Sequence, residues 1–159
     1  MRRKDREVTD LDRIFEIVAR CSVAHVGMVD HGRPYVVALN FGYERQGNSL
    51  VLYFHSAFAG RKMDILQDNP SIYVQMHCAD EFISGSYEKP CALSWRYDSV
   101  MGAGTVEFLK TPEEKAHALN CMIQHLSKKE DAYSFPGEML KHTCVYRVCI
   151  DAPTGKHHE

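Results

Sequence analysis

The sequence predicts a mainly β chain: an antiparallel sheet of six to seven strands, closed into a small β-barrel with flanking helices. Three observations predict it. Six or seven segments are rich in strand-forming residues, and most are joined by short turns. There is no β-α-β alternation of the kind that builds a parallel, doubly wound sheet. At 159 residues the chain is one domain by size, long enough to bury a core and small enough to close such a sheet on itself. The domain spans 1–159, with 1–8 and 152–159 as flexible or arm-like ends.

The elements follow in chain order. Thr9 is an N-cap candidate with Asp12 three residues on, and Leu11, Ile14, Phe15 and Val18 repeat at helical spacing up to Cys21. Residues 22–29 form a strand, Asp30-His31-Gly32 a tight turn, and 33–43 a long second strand. Pro34 sits at its start, where a missing donor costs least. Gln46-Gly47-Asn48 turns the chain into a third strand, Leu50 to Phe54, completing a meander. A helix over 61–69 carries Met63, Ile65 and Leu66 and stops at Asn69-Pro70. Residues 71–78 alternate as a strand, 79–90 are irregular and polar, and two extended segments cover 92–97 and 99–109. Gly102 and Gly104 in the second suggest a bulge or the close approach of another group. Thr111-Pro112-Glu113-Glu114 starts a helix that buries Leu119, Met122, Ile123 and Leu126. A helical turn near 137–141 and a last strand over 143–151 end the fold.

Composition narrows the function classes. Hydrophobic residues are 45% and charged residues 25% of the chain, and the net charge is -2. That balance gives no support for nucleic acid or a membrane surface as partner. No apolar run approaches the roughly 20 residues that span a bilayer. The charged start, Met1-Arg-Arg-Lys-Asp-Arg-Glu, is unlike a signal peptide, so a cytoplasmic protein is expected. Six cysteines (Cys21, Cys78, Cys91, Cys121, Cys144, Cys149) include no C-x-x-C and sit in apolar or strand-like contexts. Free buried thiols are expected, with no disulfide and no metal site. The nine histidines show no metal-ligand spacing, and His157-His158 reads as an exposed tail.

One stretch carries chemistry. Leu50 to Phe54 runs through His55-Ser56-Ala57-Phe58-Ala59-Gly60 into a helix that begins Arg61-Lys62. A strand, a short loop with Gly and Ser and a helix start with two cations suit a phosphate, because loop N–H groups and the positive helix end face the anion. A solvated basic pair at an ordinary helix start explains the same residues, and this is no Walker loop.

Three motifs resemble a known family. Tyr53-Phe-His-Ser-Ala-Phe-Ala-Gly-Arg-Lys62, Arg33-Pro-Tyr-Val-Val-Ala-Leu-Asn-Phe-Gly-Tyr43 and Trp95-Arg-Tyr-Asp-Ser-Val-Met-Gly-Ala-Gly104 resemble the pyridoxamine 5'-phosphate oxidase-like flavoproteins. The subgroup they look most like includes the nitroimidazole-resistance (NimA-type) proteins. The resemblance implies an FMN-binding split β-barrel that forms a homodimer, with FMN in grooves between subunits. It implies that Arg61 and Lys62 hold the FMN phosphate with help from Ser56, and that His55 lies beside the ribityl chain or phosphate. Phe54 falls in the same motif. Val36, Val37, Ala38, Leu39 and Asn40 would run along the isoalloxazine edge, and Ser99 would contact FMN from a neighbouring subunit or strand. Tyr35, Phe41, Tyr43 and Trp95 would line the flavin or pack in the core or interface. Gly102 and Gly104 would admit a flat ring or a second subunit.

The pattern also departs from the family's. Pyridoxamine 5'-phosphate oxidases proper carry a C-terminal Trp and Arg pair, whereas this chain ends Thr154-Gly-Lys-His-His-Glu159 and has Trp95 alone. The vitamin B6 reaction is therefore not expected. The function that remains is an FMN-dependent oxidoreductase taking electrons from NAD(P)H to a small electron-poor acceptor, with a nitroaromatic one implied by resemblance alone. No dyad or triad is evident, and His55 is the one candidate for proton transfer. Two alternatives stand beside it: a flavin-binding or sensing module without turnover, and a haem protein using His25, His55 or His77 as axial ligand.

Overall fold

The helix starting at Thr111 shows how closely local sequence dictates local structure. In the computed structural model, which describes residues 2–85 and 92–159, Thr111 caps that helix. Its hydroxyl accepts from the Glu114 N–H at 3.2 Å, and the Glu114 carboxylate accepts from the Thr111 N–H at 3.1 Å. This reciprocal pairing satisfies two donors that a helix start leaves open. Cys91 and the end of the polar stretch, 86–90, lie outside the described residues.

After a 3-10 turn at Lys4–Arg6, the elements are β1 (Glu7–Val8), α1 (Leu11–Arg20), β2 (Val23–Asp30), β3 (Arg33–Asn40), β4 (Gly42–Gln46), β5 (Ser49–Ser56) and α2 (Arg61–Asp68). They continue with β6 (Ser71–Ile83), β7 (Ser94–Phe108), α3 (Pro112–Ser127), α4 (Gly137–His142), β8 (Cys144–Ile150) and β9 (Thr154–His158). Every pairing is antiparallel, and the strands run β3-β2-β6-β7-β8-β5-β4, with β9 pairing both β7 and β1. The two ends of that order, β3 and β4, are consecutive in the chain and joined through Phe41 alone. The sheet therefore curls until its ends meet, which is the expected barrel. The main path has seven strands, as expected, and the short β1 and β9 add two.

Several expectations change, and the strand expected over 71–78 continues to Ile83, into the stretch expected to be irregular. Asp10, not Thr9, caps α1, its carboxylate accepting from the Arg13 N–H at 2.8 Å. The strand expected over 33–43 is two strands, and the meander is not formed, since β4 and not β3 pairs with β5. The cause is Gly42: a Cβ there would lie 2.4 Å from the Met122 backbone nitrogen, so α3 presses on the chain at that point. The segments expected at 92–97 and 99–109 are one strand. It pairs with β6 across a register shift between Cys78 and Glu81, beside Ala79 at φ 60°. The two ends expected as arms pair with each other and with β7: Val8 lies opposite Gly155, and the His157 Nδ1–H donates to the Asp98 carboxylate at 2.6 Å. His157 and His158 are thus part of the sheet, not an exposed tail.

The barrel interior holds the main core, from Ile14, Ile17 and Val18 of α1 through Val26, Phe41, Leu52, Phe54, Met76, Val100, Tyr146 and Val148. A second cluster forms where α3 covers β5 and β8, with Val51, Tyr53, Ala118, Leu119, Met122 and Val145. On α3 the buried face includes His125, while Leu126, expected inside, is 41% exposed. Gly102 and Gly104 face inward: added Cβ atoms would lie 2.3 Å from Ile150 and 2.4 Å from Val148. The close approach expected of a ring or second subunit is that of this chain's own β8.

Candidate functional site

Strand β5 delivers the chain to the start of α2 through Gly60, whose φ of 124° only glycine adopts without strain. The Gly60 carbonyl accepts from the Met63 N–H at 2.7 Å and the Asp64 N–H at 3.1 Å. Among the described residues no side chain caps this helix start, so the Arg61 and Lys62 N–H groups point outward at its positive end.

Consecutive helical positions diverge by about 100°, and the two cations take different surroundings. Arg61 turns to the β2–β3 hairpin. Its Nε and Nη2 donate to Asp30 Oδ2 at 2.9 and 2.8 Å, and its guanidinium sits 4.5 Å above the Tyr35 ring. Asp30 also bonds His31 Nδ1 at 2.8 Å. His31 first, and then Arg61, hold the Asp30 carboxyl below the usual carboxylate range, and Asp30 in turn raises His31. The cleft on this side, about 220 Å³, is lined by Asp30, Asp64 and Asp68 together with His31 and Arg61. Its three carboxylates oppose an anion, and Arg61 is already paired with one of them.

Lys62 turns the other way, towards β8. It is half-buried, with Nζ 5.9 Å from the centre of the Tyr146 ring, and loss of hydration lowers it from the ordinary lysine range. The neighbouring cleft, about 360 Å³, is lined by Phe58, Met63, Lys110, Lys115 and Cys144 among others. The Lys115 ammonium is held there by the carbonyls of Leu140 at 2.8 Å and Thr143 at 3.0 Å. The Tyr146 hydroxyl is buried with no partner among the described residues. An anion at the head of α2 would restore to Lys62 the stabilisation that burial removes. A phosphate therefore fits the Lys62 side of the helix better than the Arg61 side.

The other expected residues are distributed as follows. His55 is exposed near the end of β5, and the Ser56 hydroxyl donates to the Ala57 carbonyl at 2.8 Å, beside Met63. Phe54 is fully buried and stacked on Tyr146 at 5.5 Å, so its side chain is core and lines no groove. On β3 the side chains of Val36, Ala38 and Asn40 face outward and those of Val37 and Leu39 pack on the core. Asn40 donates to the Ser22 carbonyl at 2.9 Å. Among the described strands β3 pairs with β2 alone, leaving one backbone edge open. Of the aromatic residues, Phe41 is core, Tyr43 packs edge-on to His125, Tyr35 lies under Arg61, and Trp95 is exposed beside Phe82.

Ser99 is 5% exposed and lies across β7 from His77 and Lys156. It is not near Arg61 in the same chain. Ala24 pairs Met76, and Met76 pairs Val100, so Ser99 sits level with the start of β2, whereas Arg61 holds Asp30 at its end. The six residue steps from Ala24 to Asp30 span about 20 Å of strand. Sequence reasoning missed Asp30, read as turn chemistry only, and Tyr146. Each meets its cation through a fold contact 31 or 84 residues distant in the chain, which no local pattern signals.

An antiparallel barrel with a phosphate-suited helix start is the class that these features define. The family model described as pyridoxamine 5'-phosphate oxidase matches residues 10–157. The chain belongs to this family. Among solved structures it is similar to a candidate 5-nitroimidazole antibiotic resistance protein from Bacteroides thetaiotaomicron, at 32% identity and TM-score 0.80, covering 94% of this chain and 85% of that one. It shares its fold with the flavocytochrome Anf3 from Azotobacter vinelandii, at 23% identity and TM-score 0.78 over 100% of this chain and 72% of that one. It shares it too with an FAD-binding protein from Mesorhizobium loti, at 23% identity and TM-score 0.64 over 97% and 98%. Comparison with curated proteins finds no match.

Proposed function

We propose that this chain binds FMN and is an oxidoreductase that moves electrons from NAD(P)H to a small, electron-poor acceptor, of which nitroaromatic compounds are the leading class. The observation that carries the reading is the uncapped start of α2, with outward N–H groups and the half-buried Lys62 beside it, which has no carboxylate partner among the described residues. The family and the names of two of the structures sharing its fold, a flavocytochrome and an FAD-binding protein, support a flavin as the ligand class. The nitroimidazole-resistance description of the 32% identical structure supports the acceptor class.

When bound, FMN supplies the two-electron chemistry between donor and acceptor. The chain's own residues have the simpler tasks of binding and orientation. Lys62 and the α2 N–H groups take the phosphate, and Arg61, pinned by Asp30 and Tyr35, closes its other flank. The open edge of β3 at 36–40 offers backbone donors and acceptors to the ring's polar rim. His55, exposed at the end of β5, is the candidate for proton transfer.

The test is a spectrum followed by a turnover. Purified protein reconstituted with FMN should show an oxidised flavin spectrum, bleach anaerobically with NAD(P)H, and recover on adding a nitroaromatic. Flavin that binds but is never reduced would leave a non-catalytic flavin module. Haem is the second reading, and the His25–His77 pair favours it: the rings stack at 5.6 Å on the outward face of β2 and β6, with His25 Nδ1 buried and without a hydrogen-bond partner among the described residues. A Soret band in place of flavin maxima would decide for haem.

A further inference from the structure

On the far side of the barrel, Glu44 of β4 meets His117 and Cys121 of α3. Glu44 Oε2 lies 2.8 Å from His117 Nε2, and Cys121 Sγ lies 3.6 Å from the same nitrogen. The three ligand atoms all fall within 4.8 Å of one another. His117 and Cys121 are four residues apart, so they project from one face of α3. Gly42 brings that face against the strand, since the space its missing Cβ would need holds the Met122 backbone.

The surroundings hold the carboxylate in place. Glu44 Oε1 accepts from the Tyr53 hydroxyl at 2.6 Å and from Gln46 Nε2 at 2.5 Å, which leaves Oε2 aimed at His117. The Tyr53 ring meets the His117 imidazole edge-on at 5.7 Å. A ligating carboxylate fixed through its second oxygen is the usual support of a metal site.

We propose that Glu44, His117 and Cys121 bind one borderline-soft divalent transition-metal ion, of the zinc and cobalt class. One sulfur, one imidazole nitrogen and one carboxylate oxygen match that class and not magnesium or calcium. With bonds of about 2.0–2.1 Å to nitrogen and oxygen and about 2.3 Å to sulfur, tetrahedral edges run about 3.3–3.6 Å. The nitrogen–sulfur separation already has that length, and the nitrogen–oxygen one opens by about half an ångström. The His117 side chain is 56% exposed and that of Glu44 25%, so an ion can enter and water can complete its shell.

The geometry argues against a nucleophilic triad built from the same residues. A thiol, a histidine base and an orienting acid must engage opposite ring nitrogens, one taking the thiol proton and the other bonding the acid. Here the thiol and the carboxylate converge on Nε2 together. The proton balance of binding is simple. The Cys121 thiol releases its proton to solvent as the metal–sulfur bond forms, and neutral His117 carries its remaining proton on Nδ1 while Nε2 ligates. One proton leaves per ion bound.

The test is titration of the reduced, full-length chain with Co²⁺, followed by competition with Zn²⁺. One equivalent should bind saturably, with a thiolate-to-cobalt charge-transfer band in the near ultraviolet that Zn²⁺ abolishes. Cys121→Ser should remove that band, and Cys121→Ser and His117→Gln should each weaken binding about tenfold or more. A double His157→Ala, His158→Ala variant should bind as the parent does. His117 is exposed enough for His117→Gln to fold normally, so the test survives if Cys121→Ser does not fold. No saturable uptake, uptake unchanged in His117→Gln, or uptake lost with the C-terminal histidines overturns the proposal.

Discussion

Lys62 and Arg61 sit side by side in sequence, yet the fold assigns them unequal surroundings. Lys62 is partly desolvated and has no carboxylate partner among the described residues, whereas Arg61 is already engaged by Asp30. Replacing both by Ala should weaken FMN binding about 30- to 1000-fold, taking each charge-assisted phosphate contact as roughly 1.5–3 kcal/mol and discounting for non-additivity. Lys62→Ala alone should account for most of the loss. Riboflavin, without a phosphate, should bind the parent poorly and be nearly indifferent to the double change. Equal losses for both ligands in titration would show a folding defect and sink the phosphate assignment.

His125 makes a second prediction at this scale. Its Nε2 lies 2.7 Å from the Cys21 carbonyl, so Nε2 carries the proton and donates, and Lys128 Nζ approaches Nδ1 at 3.4 Å. Burial first, and then Lys128, lower the imidazole from its ordinary value of 6.5, while the bond to Cys21 opposes them. The unfolded chain thus binds this proton more readily than the folded one. The stability His125 contributes is full above pH 6.5 and is lost as pH falls through its lower folded value. Exposed His31, raised by Asp30, works weakly in the opposite sense. Denaturation midpoints measured from pH 7.5 down to 5 should fall in the parent and fall less steeply in His125→Gln. Parallel slopes would refute the assignment.

Elements whose signals are local were legible in the sequence, and those set by distant contacts were not. The Thr111–Glu114 capping box lies within four residues, and it forms as read; Thr111→Ala should cost about 1 kcal/mol, seen as a lower thermal midpoint. The α2 start was equally legible, because the strand, Gly60 and the two cations are contiguous. The break between β3 and β4 was not, because its cause is the backbone of α3 some 80 residues on. The inward turn of Phe54 and the distance of Ser99 from Arg61 are likewise consequences of sheet register. Gly102 makes the same point by experiment. Gly102→Ala places a methyl 2.3 Å from Ile150 Cγ2, and overpacking of this kind should destabilise by about 1–3 kcal/mol. A neutral effect in a denaturant series would mean that the position faces a groove, as the sequence alone suggested.

For the molecule as a whole, one chain does not complete the flavin groove that the resemblance implies. The phosphate end proposed at Lys62 and Arg61 and the contact expected of Ser99 are separated by about 20 Å along the strands. In the homodimer that we propose, a second copy would supply Ser99 to the flavin whose phosphate the first copy holds. The surface agrees with that arrangement. The outward face of β3, β2 and β6 exposes Val36 at 60% and Tyr73 at 51%, flanked by Ala38, Gly27 and Val23, and the β3 edge beside it is open. Apolar residues gathered on one sheet face favour burial, and two-fold dimers are the commonest way to achieve it. Light scattering with saturating FMN should therefore return twice the chain mass of 18.2 kDa. Val36→Arg should shift the protein towards monomer and weaken FMN binding in parallel, since each groove would lose its second wall. A monomer mass in the parent, or a monomeric Val36→Arg that binds FMN at full strength, would show that a single chain builds the flavin site by itself.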